Sequence, residues 1–295
     1  MNTTSHHSPL WPHFKTIRFW LDLGVLGVIW WAALQVGGDV PRLSWLSVAL
    51  VFKLLGLVGL LEAASFFVSH LFGVKRGLLV QGLIGGFISS TAVFVRLTSK
   101  PMREAISSRR LARALLLAVL SMLLECLMIL YALTPEQFFS HGWPIGLSMV
   151  VIILTVWLLP ENSQETTKIS MLEKSFDRPV AWLRVFYFTA VIVGLMWLIR
   201  FLNDAAHLPI LWSTFLLSIF EAHAVLAASL LNLTANQVDT NLQGLWLVIM
   251  VLLGNTVSKF FLVLKTGSWA LCLYVLSPLI GSVLLSVLIV LLMPS

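Results

Sequence analysis

The chain has 295 residues, of which 59% are hydrophobic and only 11% charged. A soluble domain carries about 25% charged residues, so this chain cannot cover its own surface in water and lipid has to replace water over most of it. The formal net charge of +6 sits in short loops between apolar runs, the pattern of orientation in a membrane. No basic stripe with interleaved aromatics stands free of those runs, which excludes nucleic acid as a partner.

The first eighteen residues are polar and contain His6, His7, His13, Lys15 and Arg18. These histidines read as tail residues, not metal ligands. The apolar run that follows is longer than a signal-peptide core and lacks a small-residue cleavage site, so it predicts a retained first helix. A spanning helix needs about 20 apolar residues. Nine hydrophobic segments follow one another, at roughly 19–38, 44–72, 77–97, 109–132, 143–160, 181–202, 208–232, 244–264 and 268–293. Pro41 precedes the second, and Lys75 and Arg76 separate the second from the third. A basic loop at 98–110 carries Lys100, Arg103, Arg109 and Arg110. The longest polar stretch, 161–179, divides the chain near its middle. The fold class this predicts is all-α, a polytopic transmembrane helix bundle. Its parts are a tail with the first helix (1–38), four segments (39–160), a polar linker (161–180) and four more segments (181–295).

The two quartets resemble each other. In the second segment of each, a polar cluster occupies a parallel place: Phe87-Ile88-Ser89-Ser90-Thr91-Ala92-Val93 and Ile219-Phe220-Glu221-Ala222-His223-Ala224-Val225. The third segments carry Glu125 in one case, and Asn255 with Lys259 in the other, about 32–34 residues further on. Orientation favours a duplication of a particular kind. If all nine segments span, Lys75–Arg76 and the basic loop fall on opposite sides, against the positive-inside bias. If the third and seventh segments dip in and return, the tail, Lys75–Arg76, the basic loop, the linker and Lys265 share the cytoplasmic side, and only Arg42 and Arg200 face out. Each half then has three spans and one re-entrant element, which inverts the second half relative to the first, a recurring transporter design. Gly85-Gly86 is the expected break in the third segment.

Ionisable groups inside apolar segments are Asp22, Lys53, Glu62, Glu125, Arg184, Glu221, His223 and Lys259. A charge at the bilayer centre costs roughly 3 kcal/mol or more, so such groups are usually paired and often functional. Asp22, Arg184 and Arg200 are near segment ends and are expected to snorkel. Glu125, Glu221, His223 and Lys259 are harder to explain that way. Asn255 and Lys259, like Ser121 and Glu125, are four apart and share a helix face. Glu221 and His223 are two apart and converge only if the backbone is broken there. Ser89, Ser90, Thr91, Glu125, Glu221, His223, Asn255 and Lys259 are therefore the candidate substrate-binding residues. The competing reading is a buried Glu–Lys or Glu–His pair that only holds helices together. No GxSxG elbow accompanies Ser89 and Ser90, so no enzyme activity is expected. Glu221-Ala222-His223 has poor spacing for zinc, and no cofactor or metal is expected. Cys126 and Cys272 lie in apolar runs without a CxxC context and read as buried thiols. The sequon Asn232-Leu233-Thr234 is read as chance.

The stretch Arg76-Gly77-Leu78-Leu79-Val80-Gln81-Gly82-Leu83-Ile84-Gly85-Gly86-Phe87-Ile88-Ser89-Ser90-Thr91-Ala92 resembles the motif RGLLLxGLLGGLxSSTAT of the bacterial membrane domain catalogued as DUF 4010, which often follows an MgtC/SapB-type domain. Gly254-Asn255-Thr256-Val257-Ser258-Lys259 resembles that family's SNTLVK motif. The resemblance covers roughly residues 40–293. It implies a multi-pass protein of a bacterial inner membrane, in a family without a settled activity. Two departures change charge. Glu221-Ala222-His223-Ala224 stands where the family shows DVDA, and Glu125 where it commonly has Arg. Only one helix precedes the shared region, where an MgtC/SapB-type domain often stands in the family.

The leading functional expectation is a transporter of a small solute or ion, with a polar site where the two repeats meet. The alternatives are a non-transporting membrane regulator or assembly factor and, last, an intramembrane enzyme acting on a lipid-linked substrate. The expected partners are the lipid bilayer and the solute, and a homo-oligomer is among the assemblies this composition allows.

Overall fold

A computed structural model describes residues 16–35, 48–72, 77–159, 180–205, 207–235, 240–266 and 268–292. Pro41, Arg42, Lys75–Arg76, the linker at 161–179 and the tail histidines lie outside the described residues. The helices in chain order are α1 (Ile17–Gln35), α2 (Val48–Phe72), α3 (Gly77–Leu97), α4 (Lys100–Ala105), α5 (Ser108–Leu133), α6 (Phe138–Leu158), α7 (Trp182–Ala205), α8 (Ile210–Ser218), α9 (Ala222–Ala235), α10 (Thr240–Leu264) and α11 (Trp269–Leu292). No strand occurs among the described residues.

Five stretches are long and apolar enough to cross a membrane: Ser108–Leu133, Pro135–Leu158, Trp182–Ala205, Leu242–Leu264 and Trp269–Leu292. Five helices thus meet that standard among the described residues, where the sequence suggested about nine segments. Their outer faces are apolar at helical spacing. Val150, Ile153, Leu154 and Trp157 are exposed along α6, and Leu284, Leu288 and Leu291 along α11. Such stripes would be untenable against water and are the natural contact with lipid. Hydroxyls inside the helices donate to the carbonyl one turn back, as Ser148 does to Pro144 (2.9 Å), Thr256 to Leu252 (2.8 Å) and Ser286 to Ser282 (2.9 Å). Bonded in this way, these hydroxyls are satisfied in an apolar medium.

The chain divides into two compact units, residues 1–76 with 170–190, and residues 77–169 with 191–295. In the first unit, Gly56 and Gly59 of α2 leave room for Trp30 and Leu26 of α1. Phe19 packs against Phe66 and Phe67, with ring centroids 6.1 and 6.2 Å away. Two polar contacts tie the first turns of α7 to this pair. Trp182 Nε1 donates to Asp22 Oδ1 at 2.9 Å, and Arg184 Nη1 lies 3.1 and 3.2 Å from the two Glu62 carboxylate oxygens. The expectation that Asp22 snorkels to the interface is therefore corrected, while Arg184 stays about one-third exposed (36%). Asp22 is buried, and the bond to Oδ1 lowers the cost of placing a polar group in an apolar medium. Lys53 is exposed, and Arg200 is partly exposed beside Asp204 at 3.8 Å.

The second unit is organised around α5 and α10. Gly82 and Gly86, four apart on α3, lie flat on the backbone of Ala114 and Ala118 of α5. Small residues at this spacing let two helices approach to backbone contact. The first part of α3 is therefore a continuous helix through Gly85-Gly86, and the break expected there is absent. The non-helical residue is Ser89, at φ −170° and ψ 106°. The glycines of the motif serve packing, and the hydroxyl four residues later serves the turn.

Candidate functional site

Ser89 adopts the extended backbone of a helix N-cap, and its Oγ accepts a hydrogen bond from the Ala92 amide at 3.2 Å. That is the bond a capping hydroxyl makes to the third residue of a new helix. The chain turns sharply at this point. A Cβ placed on Gly85 would lie 2.6 Å from Val93 Cγ2, although eight residues of unbroken helix would separate them by roughly 12 Å. Gly85 is thus required by the turn even though the helix does not break at it.

The seventh segment breaks too. α8 ends at Ser218 and α9 starts at Ala222. Thr214 Oγ1 and Ser229 Oγ are 2.8 Å apart, whereas fifteen residues of continuous helix span roughly 22 Å. α8 and α9 therefore form a hairpin. Gly254 of α10 admits the end of α8, because any side chain there would strike Ser218 Oγ and the Phe215 carbonyl. The non-helical position, Glu221, is the one the sequence comparison of the two clusters sets opposite Ser89.

The break makes Glu221 and His223 converge, as two residues two apart do only without a regular helix between them. His223 Nδ1 lies 2.9 Å from Glu221 Oε1, and His223 Nε2 lies 2.8 Å from Glu125 Oε2 on α5. The imidazole is thus set between two carboxylates. Each of two such short nitrogen–oxygen contacts calls for a proton between its atoms, so either the ring is an imidazolium or one carboxyl carries the second proton. In either case the trio holds one proton more than a neutral imidazole between two carboxylates.

Lys259 of α10 is among the largest fully buried side chains, 1% exposed. Its Nζ donates to Thr91 Oγ1 at 2.8 Å and stands 5.1 Å from the centroid of the Phe94 ring. Glu221 is within electrostatic range of it. Asn255 is buried one turn before Lys259, and Ser90 is buried beside Thr91. Counted in full, Glu125 and Glu221 carry two negative charges, and Lys259 with the extra proton two positive ones. A balanced cluster is what a low-dielectric medium tolerates.

The structure joins Thr91 to Lys259, and joins Glu125, Glu221 and His223. Of the Glu–Lys and Glu–His pairs the sequence allows, Glu125 makes the second, with His223. Ser89 spends its hydroxyl on the cap. Ser121, on the Glu125 face, donates to the Leu83 carbonyl at 2.5 Å and to Leu117 at 3.1 Å, so it locks α5 to α3 and stands apart from the cluster. Sequence reasoning missed Phe94, whose only signal was its place one turn after Ser90. Cys126 and Cys272 are free and buried. Asn232 is buried in α9, with its amide on the Met196 carbonyl at 3.1 Å, so the sequon is no glycan acceptor in this fold. Among the described residues no group of three or more His, Cys, Asp or Glu is placed to hold a metal ion.

Helices of spanning length, lipid-ready outer faces and a buried charge cluster define a multi-pass helical membrane protein. Residues 57–267 match the family described as a domain of unknown function, DUF4010, and the chain belongs to that family. No curated protein and no solved structure matches it.

Proposed function

We propose that this protein is a transporter of a small solute or ion, built from two inverted repeats whose broken elements meet at a polar site. One observation carries the reading. The broken element of each half makes its polar contact with a third-segment helix of the other half: Thr91 with Lys259 of α10, and His223 with Glu125 of α5. The two breaks fall at positions that the sequence comparison had already set opposite each other. Reciprocal exchange of this kind is what a pseudo-twofold axis in the membrane plane produces, and transporters place their sites where such halves meet.

The chemistry assigned to the cluster follows from its proton count. Glu125, His223 and Glu221 hold a shared proton between groups on different halves, so a movement of one half against the other can carry that proton from one carboxylate to the other. Thr91, Ser90, Asn255 and Lys259 supply the hydroxyls, amide and cation that a solute would meet at the capped start of the second part of α3. We place the protein in the inner membrane of a bacterium, with the loop at 98–110 on the cytoplasmic side.

The test uses full-length protein in vesicles loaded with a pH-sensitive dye. A panel of small anions, cations and neutral solutes is added outside at fixed membrane potential. A solute-dependent pH change absent from protein-free vesicles supports transport coupled to protons. No response to any solute, in vesicles whose protein is folded and correctly inserted, favours a regulator or assembly factor.

A further inference from the structure

Two of the candidate spans begin side by side, away from the charge cluster. α5 starts at Ser108 and α11 at Trp269, and the hydroxyls of Ser108 and Ser268 are 3.5 Å apart. Between these starts and α4 lies a half-open cavity of about 300 Å³, lined by Lys100, Arg103, Glu104, Ser108, Ser268 and Leu271. Nothing in the transport reading uses it.

We propose that this cavity binds a phosphate group. Arg103 is fixed at its wall, because one of its terminal nitrogens donates to the Thr266 carbonyl. A guanidinium held in place is a better phosphate ligand than a free one, since less freedom is lost on binding. Lys100 adds a second cation. Its ion-pair partner is Glu104, 3.8 Å away with both side chains largely exposed, a pair too solvated to hold it. The hydroxyls of Ser108 and Ser268, in contact with each other, sit side by side in the lining. Ser107, the cap of α5, makes no side-chain capping bond, so the first amides of that helix keep their capacity to donate to an anion. Glu104 is the one acidic group among the lining residues.

The position of the cavity bears on the source of the phosphate. Both flanking helices are candidate spans that start here, so the cavity sits at headgroup depth. Anionic lipid headgroups are concentrated there and are drawn to basic clusters. A phosphodiester headgroup and free phosphate present the same oxygens, and only a lipid would be delivered from the side.

Full-length protein in detergent is unfolded thermally with added phosphatidylglycerol, phosphatidylcholine or inorganic phosphate. Phosphatidylglycerol is expected to raise the midpoint by about 3 °C or more at saturation, and phosphatidylcholine to do much less. The shift is expected to fall by at least half in Arg103→Gln and in Lys100→Gln. The second variant alters an exposed side chain and guards against a folding defect in the first. An equal shift with inorganic phosphate alone assigns the site to free phosphate and keeps the chemistry. Equal shifts with the two lipids, no shift with any phosphate source, or a full shift in both variants would overturn the proposal.

Discussion

Ser89 and Glu221 each interrupt a helix just before a new one begins, but they do so with different chemistry. At Ser89 the turn is neutral and self-contained: its own hydroxyl caps the next helix, and Gly85 gives Val93 the space to return. At Glu221 the turn carries charge, and its stability depends on an imidazole that is shared with another helix. The first break is fixed by local bonds and close packing. The second is held by an imidazole and by a carboxylate distant in sequence. The first should therefore behave as a rigid element, and the second as one whose geometry depends on who holds the proton.

The largest effect is expected at the charged break. His223→Ala leaves Glu125 and Glu221 without the group between them, and losing one partner of a buried ion pair costs roughly 3–5 kcal/mol. The melting midpoint in detergent should fall by roughly 10 °C. Pairing this change with Glu125→Gln should restore a good part of the loss. If His223→Ala melts like the parent protein, the cluster is not what holds α9 to α5.

At the neutral break the packing comes next. Gly86→Ala drives a Cβ into the Ala118 backbone, which cannot yield like a side chain, and overpacking of this kind costs about 1–3 kcal/mol. Gly281→Ala is the control. It has open space around it, and alanine is the better helix former, so that variant should be unchanged or slightly more stable. Equal behaviour of the two would mean that α3 and α5 are not in backbone contact.

Ser89→Ala removes only the cap and should cost about 1 kcal/mol. A larger loss would show that Ser89 does more than cap, and would bring it back among the ligands. The smallest effect is expected at Glu62→Gln, in the other unit. Arg184 is about one-third exposed (36%), and a solvated pair contributes about 1 kcal/mol or less. This variant should leave any transport intact.

These contrasts also show where the sequence was legible. Hydropathy located the five stretches of spanning length because lipid imposes length and apolarity on each one independently. The break at Glu221 could be expected because two ionisable residues two apart have no common face on a helix. The break at Ser89 was displaced to Gly85-Gly86 because glycine reads as a breaker. Whether a glycine breaks a helix or lets one lie against another depends on Ala114 and Ala118, which are distant in sequence. The candidate site residues were chosen one by one for the cost of burying them. Their pairing was hidden for the same reason: charge says that Glu125 needs a partner, while only the fold says that the partner is His223. Likewise Asp22 reads as a snorkelling residue in the sequence, and only the fold puts Trp182 beside it.

The most direct test of whether the cluster works or merely holds is Glu221→Gln, measured for thermal stability in detergent and for proton-coupled flux in vesicles. The amide oxygen can still accept from His223 Nδ1, and the Glu221 side chain is about one-third exposed (35%), so the fold should survive the change. The charge that would take the proton is gone. We expect flux to be abolished while the melting midpoint and folded yield stay close to the parent protein. Loss of stability in step with loss of flux, or full flux in a stable variant, would contradict a transport site at this break.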